Sequence, residues 1–228
     1  MENCLSLNGG AEFIIRRRFG RALERSQALE ILAEARGRGL VQIADNVQNR
    51  PTFICNCCGC CCGQLKSITD FDLPGVKPSG FVPACDVAHC KGCGRCARAC
   101  PILAISMTAR QAEPGHRNLL QPAVDTAKCI GCGVCADACK TQALRMARRQ
   151  ERPAVPVNTI ERVVRMALER GRLAHLVDRH AGRGSRFLSQ VLGVLAAFPP
   201  VQKALASEQL RSRFVRAAME RIQDPTGG

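Results

Sequence analysis

One cysteine spacing occurs twice in this chain, and it limits what the chain can fold into more than any other feature. The segment HCKGCGRCARACPILAISM, residues 89–107, aligns with KCIGCGVCADACKTQALRM, residues 128–146, at a constant offset of 39. Each copy has the pattern C-x2-C-x2-C-x3-C and reads as a loop, a short helix and a strand. Eight of the sixteen cysteines fall in these two copies.

Sixteen cysteines can serve disulfides, metal sites or redox chemistry. The N-terminal run MENCLSLNGG has no basic region followed by an apolar stretch, so no secretory signal is read there. A duplicated tight spacing is rare in disulfide scaffolds, and metal ligation in a reducing, cytoplasmic compartment is the better reading.

Three cysteines at steps of three on one tight loop turn their sulfurs toward one cube. The fourth sits on a helix facing the opposite way and reaches the other cube. This predicts two [4Fe-4S] clusters, one held by Cys90, Cys93, Cys96 and Cys139, the other by Cys129, Cys132, Cys135 and Cys100. Gly92, Gly94, Gly131 and Gly133 would let the loops take positive φ and bring amide N–H groups to the sulfurs, which tunes potential. Pro101 follows the last cysteine of the first copy, and Lys140 stands in its place in the second, without loss of a ligand. Zinc is the competing metal, but zinc sites usually pair cysteines across a longer spacer. His89, next to Cys90, reads as a surface residue beside a complete cysteine set, and His116, His175 and His180 have no paired spacing.

With these two motifs, residues 81–148 resemble the bacterial dicluster ferredoxins. The resemblance implies an α+β class with a β-α-β pseudo-twofold arrangement. It puts short strands near residues 81–85, 104–108, 123–125 and 143–147, and it implies low-potential electron transfer. Residues 109–122, with Pro114, Gly115 and Pro122, exceed the link of a minimal ferredoxin and are expected to form an inserted surface loop.

A second cysteine cluster lies upstream. FICNCCGCCCG supplies Cys55, Cys57, Cys58, Cys60, Cys61 and Cys62. These thiols are soft enough for a further iron–sulfur or other metal site. A redox-active thiol or disulfide site and a merely structural cluster are the alternatives. Cys4, Cys85 or a partner chain are candidates for a missing ligand. The whole chain resembles a wider family of bacterial iron–sulfur proteins that join such a motif to a dicluster domain and a helical C-terminus. Members of that family often extend further upstream. By that comparison this chain would be a shortened or differently started form, and a site using Cys4 would then be incomplete.

Around these motifs four segments are expected. Residues 1–50 read as helical, with a periodic run from Ser26 to Ala35 that ends at Gly37 and Gly39. Residues 51–80 hold the cysteine knot and then a linker with Pro74, Gly75, Pro78 and Gly80. The dicluster domain spans 81–150. Residues 151–228 read as a cysteine-free helical region: one helix capped at Asn158 or Thr159, a second over 185–198, and a third that opens at Pro199 and Pro200 and runs through Ile222. Its apolar stretch from Phe187 to Phe198 is short of the ~20 residues a bilayer span needs.

Net charge is +14. Each oxidised cluster with its thiolates would add about −2, leaving about +10, a charge that favours redox partners with acidic docking surfaces. Nucleic acid is disfavoured as a partner, because the arginines over 145–152 have no interleaved stacking aromatics and the chain contains no Trp or Tyr. Neither a glycine-rich nucleotide loop beside a strand nor a nucleophile motif is present. The chain therefore reads as an electron carrier relaying single electrons through its clusters, or as a redox-complex subunit, rather than a stand-alone enzyme. The alternative is the iron–sulfur subunit of a larger oxidoreductase with a further catalytic or redox site at Cys55–Cys62.

Overall fold

The computed structural model describes residues 4–110, 120–178 and 185–210. The chain is α+β and divides into two compact units, one of residues 1–45 and 51–154, the other of 46–50 and 155–228.

The first unit begins with β1 (Cys4–Ser6), α1 (Asn8–Arg16), α2 (Arg25–Gly37), β2 (Val41–Ala44), β3 (Phe53–Cys57) and α3 (Gly63–Phe71). Helix α2 is held at its start by a reciprocal cap between Glu24 and Gln27 and stops where Gly39 takes φ 72°. The wholly helical reading of residues 1–50 is corrected, because β1 and β2 flank β3 in an antiparallel sheet of order β1-β3-β2. These strands have only three and four residues, too few to show an alternating pattern in sequence. The linker reading of 64–80 is corrected in the same way. Leu65 and Ile68 give α3 a buried face, and Asp72, at φ 52°, ends it.

The repeat follows as β4 (Phe81–Cys85), α4 (Arg95–Ala99), β5 (Ile105–Ala109), β6 (Leu120–Val124), α5 (Val134–Asp137) and β7 (Leu144–Arg148). Shifted by 39, β4 falls on β6 and β5 on β7. The offset persists in detail: Leu103 and Gln142 both have φ 54°, and the Asp86 and Asp125 carboxylates each accept from the amide two residues on. The strands exchange partners. β4, ahead of the first motif, pairs with β7, behind the second, with Phe81 opposite Arg148. β5, behind the first motif, pairs with β6, ahead of the second, with Ile105 opposite Val124. Neither repeat can therefore complete a sheet alone. Of the expected inserted loop at 109–122, residues 111–119 lie outside the described residues, whereas 120–122 belong to β6.

One apolar core joins the N-terminal elements to the repeat. Val41 of β2 and Leu65 and Ile68 of α3 are buried with Ile102, Ala104, Cys129, Ile130 and Val134. At the edge of this contact Arg36 forms a bidentate pair with Asp137, at 2.8 and 2.7 Å, and the guanidinium holds that carboxyl below the usual carboxylate range.

The second unit contains α6 (Thr159–Glu169), α7 (Leu173–Asp178), α8 (Ser185–Ala196) and α9 (Pro200–Leu210). Asn158 caps α6 as expected, its side-chain oxygen accepting from the Glu161 amide at 3.0 Å. The core is Val164, Leu173, Val191, Leu195, Phe198 and Ala206. α7 was not expected, and the end of the third expected helix, beyond Leu210, lies outside the described residues. The segment 46–50 joins this unit through backbone bonds from Gln48 to Pro156 and from Asn49 to Val157, both 2.9 Å.

Arg149 ties the first unit together where β7 ends. Its guanidinium donates to the carbonyls of Ser79, Phe81, Thr126 and Cys129. Replacing it takes this donor from the part-buried bonds to Ser79 and Cys129, so Arg149→Ala is expected to lower stability by about 1–3 kcal/mol. Anaerobic denaturant unfolding followed by circular dichroism measures this, and a loss within about 0.5 kcal/mol would contradict the role.

Candidate metal centre

Two thiol-lined cavities lie within the repeat. The first is lined by Cys129, Cys132 and Cys135 of the second motif and Cys100 of the first, with Pro83, Ile102, Ile105 and Ile130 closing it. The second is lined by Cys90, Cys93 and Cys96 of the first motif and Cys139 of the second. Three loop cysteines turn inward in each case, and the fourth arrives from the other copy.

Local backbone geometry explains the convergence. Gly92, Gly94, Gly131 and Gly133 all have positive φ, and Gly94 and Gly133 are the N-caps from which α4 and α5 start. The turns point amide N–H groups at sulfur: Gly92 to Cys90 at 3.5 Å, Gly131 to Cys129 at 3.4 Å and Ala104 to Cys100 at 3.2 Å. Cys139 accepts from the Leu144, Ala143 and Thr141 amides and from the Thr141 hydroxyl. Donors aimed at sulfur from several sides suit thiolates that carry negative charge into a half-buried site.

Burial pushes the thiols of Cys96, Cys129 and Cys132 up from the ordinary value. That of Cys135 goes up to about 12, from burial first and then from Cys132, Cys100 and Cys129. Cys139 moves the other way: burial is its largest single influence and raises it, but the hydrogen bonds it accepts together outweigh this. A metal that binds here displaces protons from buried thiols, so loading is coupled to pH.

The donor set fits iron–sulfur clusters, with four soft sulfurs to a cavity and backbone donors behind them. Residues 89–143 match the family described as a 4Fe-4S dicluster domain. This part of the chain binds 4Fe-4S clusters. No curated protein and no solved structure matches the chain. Among the described residues, no helix is long and apolar enough to cross a membrane.

The remaining cysteines separate into three environments. Cys58 and Cys60 are joined as a disulfide on the turn after β3, with the Cys61 sulfur 3.1 Å from that of Cys58. Cys55, Cys57 and Cys62 lie apart from these, on β3 and at the start of α3, and Cys4 stands opposite Cys55 across the β1–β3 ladder. Cys85, considered with Cys4 as a ligand for the upstream motif, lies elsewhere: it lines the second cavity beside Cys90, Cys96 and Cys139. The sequence contained the signal for this, since shifting Cys85 by 39 gives Val124 and marks the two copies as unequal. His89 is exposed and paired with Asp86 at 2.8 Å, away from any ligand role.

Cys85 is thus a fifth thiol in a cavity that already has four. Burial, then the hydrogen bond with Cys90, raises it to about 11, so it stays protonated at neutral pH. It can donate an S–H toward the ligand sulfurs. Cys85→Ala is expected to keep the full iron content while lowering one midpoint potential by an amount on the order of tens of millivolts. Potentiometry with iron quantitation measures both, and loss of iron would instead make Cys85 a ligand.

Proposed function

We propose that this protein relays single electrons through two [4Fe-4S] clusters, one held by Cys90, Cys93, Cys96 and Cys139, the other by Cys129, Cys132, Cys135 and Cys100. The observation that carries this reading is the pair of thiol quartets, each completed from the other repeat, in a segment of the dicluster family. Bound clusters supply one-electron chemistry, and the chain supplies their surroundings. Amides of Gly92, Ala104 and Gly131 spread charge from the sulfurs. Ile105 and Leu144 belong to one apolar cluster that also takes in Cys96, Cys100, Cys135 and Cys139, so the quartets share a dry wall through which an electron can pass.

Partner docking falls to the surface at the second cavity. Cys93 is exposed there, and the exposed Lys91 and Arg95 line the same rim. Acidic redox partners in a reducing cytoplasm fit this rim, and steering by its charge would weaken with salt.

A second reading, the iron–sulfur subunit of a larger oxidoreductase with a redox site at Cys55–Cys62, draws support from the Cys58–Cys60 disulfide beside Cys61. A partner enzyme whose turnover ends when Cys58 or Cys60 becomes Ser would favour it.

The anaerobically purified protein should be brown, bleach with dithionite and give reduced-cluster EPR signals, whereas a colourless, zinc-loaded protein would end the proposal. Charge reversal of Lys91 and Arg95 to Glu is expected to slow electron exchange with an acidic acceptor roughly tenfold at low salt. Stopped-flow across a salt series measures this, and equal rates would remove the docking surface.

A further inference from the structure

We propose that Cys4, Cys55, Cys57 and Cys62 hold a third iron–sulfur cluster, beside the core that lines the first cavity. The four cysteines come from three elements. Cys55 and Cys57 are two apart on β3 and so share one face of the central strand. Cys4 faces Cys55 across the antiparallel β1–β3 ladder. Cys62 returns to the same face as the N-cap of α3, after a turn closed by the bond from its own amide to the Cys58 carbonyl.

The ladder sets Cys4 against Cys55, and Cys57 and Cys62 pack against one and the same apolar core. Four thiols from three elements gathered on one sheet face are costly to keep for packing alone.

The spread of the sulfurs selects the occupant. A single tetrahedral ion with metal–sulfur bonds of about 2.3 Å needs every sulfur pair at about 3.8 Å. Among the described residues, the cysteines whose sulfurs all lie within 4.8 Å of one another are Cys58, Cys60 and Cys61. Cys4, Cys55, Cys57 and Cys62 form no such tight group, and neither do the quartets of the two cavities, which take a multi-iron core.

Its position gives it a neighbour. Cys57 and Cys62 pack against the apolar core that contains Cys129 and also touches Cys100 and Cys132. The turn between them is pressed onto the first motif. A Cβ on Gly59 would stand 2.5 Å from the carbonyl oxygen of Pro101, the residue after Cys100, so only glycine allows this approach. On the other side Cys4 is exposed. A cluster here would connect the first cavity to the surface at the β1 edge.

The test uses the full chain, purified anaerobically and reconstituted with iron and sulfide. The wild type is expected to hold about twelve iron atoms and twelve labile sulfides. Cys57→Ser should lose about four of each and keep the remaining reduced-cluster EPR signals. Cys4→Ser, on an exposed edge, should lose the same amount if Cys57→Ser fails to fold. The combined change of Cys58, Cys60 and Cys61 to Ser should keep all of it. The proposal is overturned if Cys57→Ser and Cys4→Ser retain wild-type iron and sulfide, if zinc rather than iron and sulfide is what they lose, or if the triple variant is the one depleted. Cys93→Ser separates this from the two-cluster reading, because it should deplete the second cavity alone and leave the signal that Cys57→Ser removes.

Discussion

Each thiol cavity takes its last cysteine from the other half of the repeat, and the rest of the first unit is arranged around that exchange. Cys100 leaves α4 and enters the cavity of the second motif; Cys139 leaves α5 and enters that of the first. The strands trade in the same sense, β4 with β7 and β5 with β6. Chain connectivity and ligand connectivity therefore enforce each other. A half-repeat would lack a partner for both of its strands and one of its four sulfurs. Such a structure gains its stability only when both halves are in place.

The exchange also explains why the N-terminal elements are needed. The clusters' immediate surroundings are small, with short helices of five and four residues and two-stranded sheets that cannot bury much surface. Val41, Leu65 and Ile68 supply the missing apolar cover on the side of Ile102, Cys129 and Ile130. Arg36 and Asp137 clip the edge of that contact, and Arg149 gathers four carbonyls from the chain ahead of the first motif and at the start of the second.

What could be read in advance follows from how local each signal is. In each copy three cysteines at steps of three and a fourth four residues on carry their geometry within a few residues, so the two thiol-lined cavities were legible, as were the positive-φ glycines and the Asn158 cap. β1 and β2 were not, because short strands make no periodic pattern and exist only by pairing with β3. α3 was hidden by the prolines and glycines that follow it, and α7 by its six-residue length. Cys85 was misplaced for a different reason. It stands a few residues before the first motif in sequence, but the β4–β7 pairing decides where its side chain goes. The cysteine knot looked like one site, and the strand alternation of β3 divides it into an inward group and an exposed turn.

The burial of Cys129 and Cys135 bears on how the protein is made. Cys129 lies in the core that α3 and β2 close, with its carbonyl gripped by Arg149, and Cys135 lies in the smaller cluster of Ile105 and Leu144. A carrier that delivers iron and sulfide must reach the sulfurs that receive them. Cys93 offers such a sulfur at the surface of the second cavity, whereas in the first Cys129 and Cys135 are buried, so the two quartets differ in how directly they can be reached.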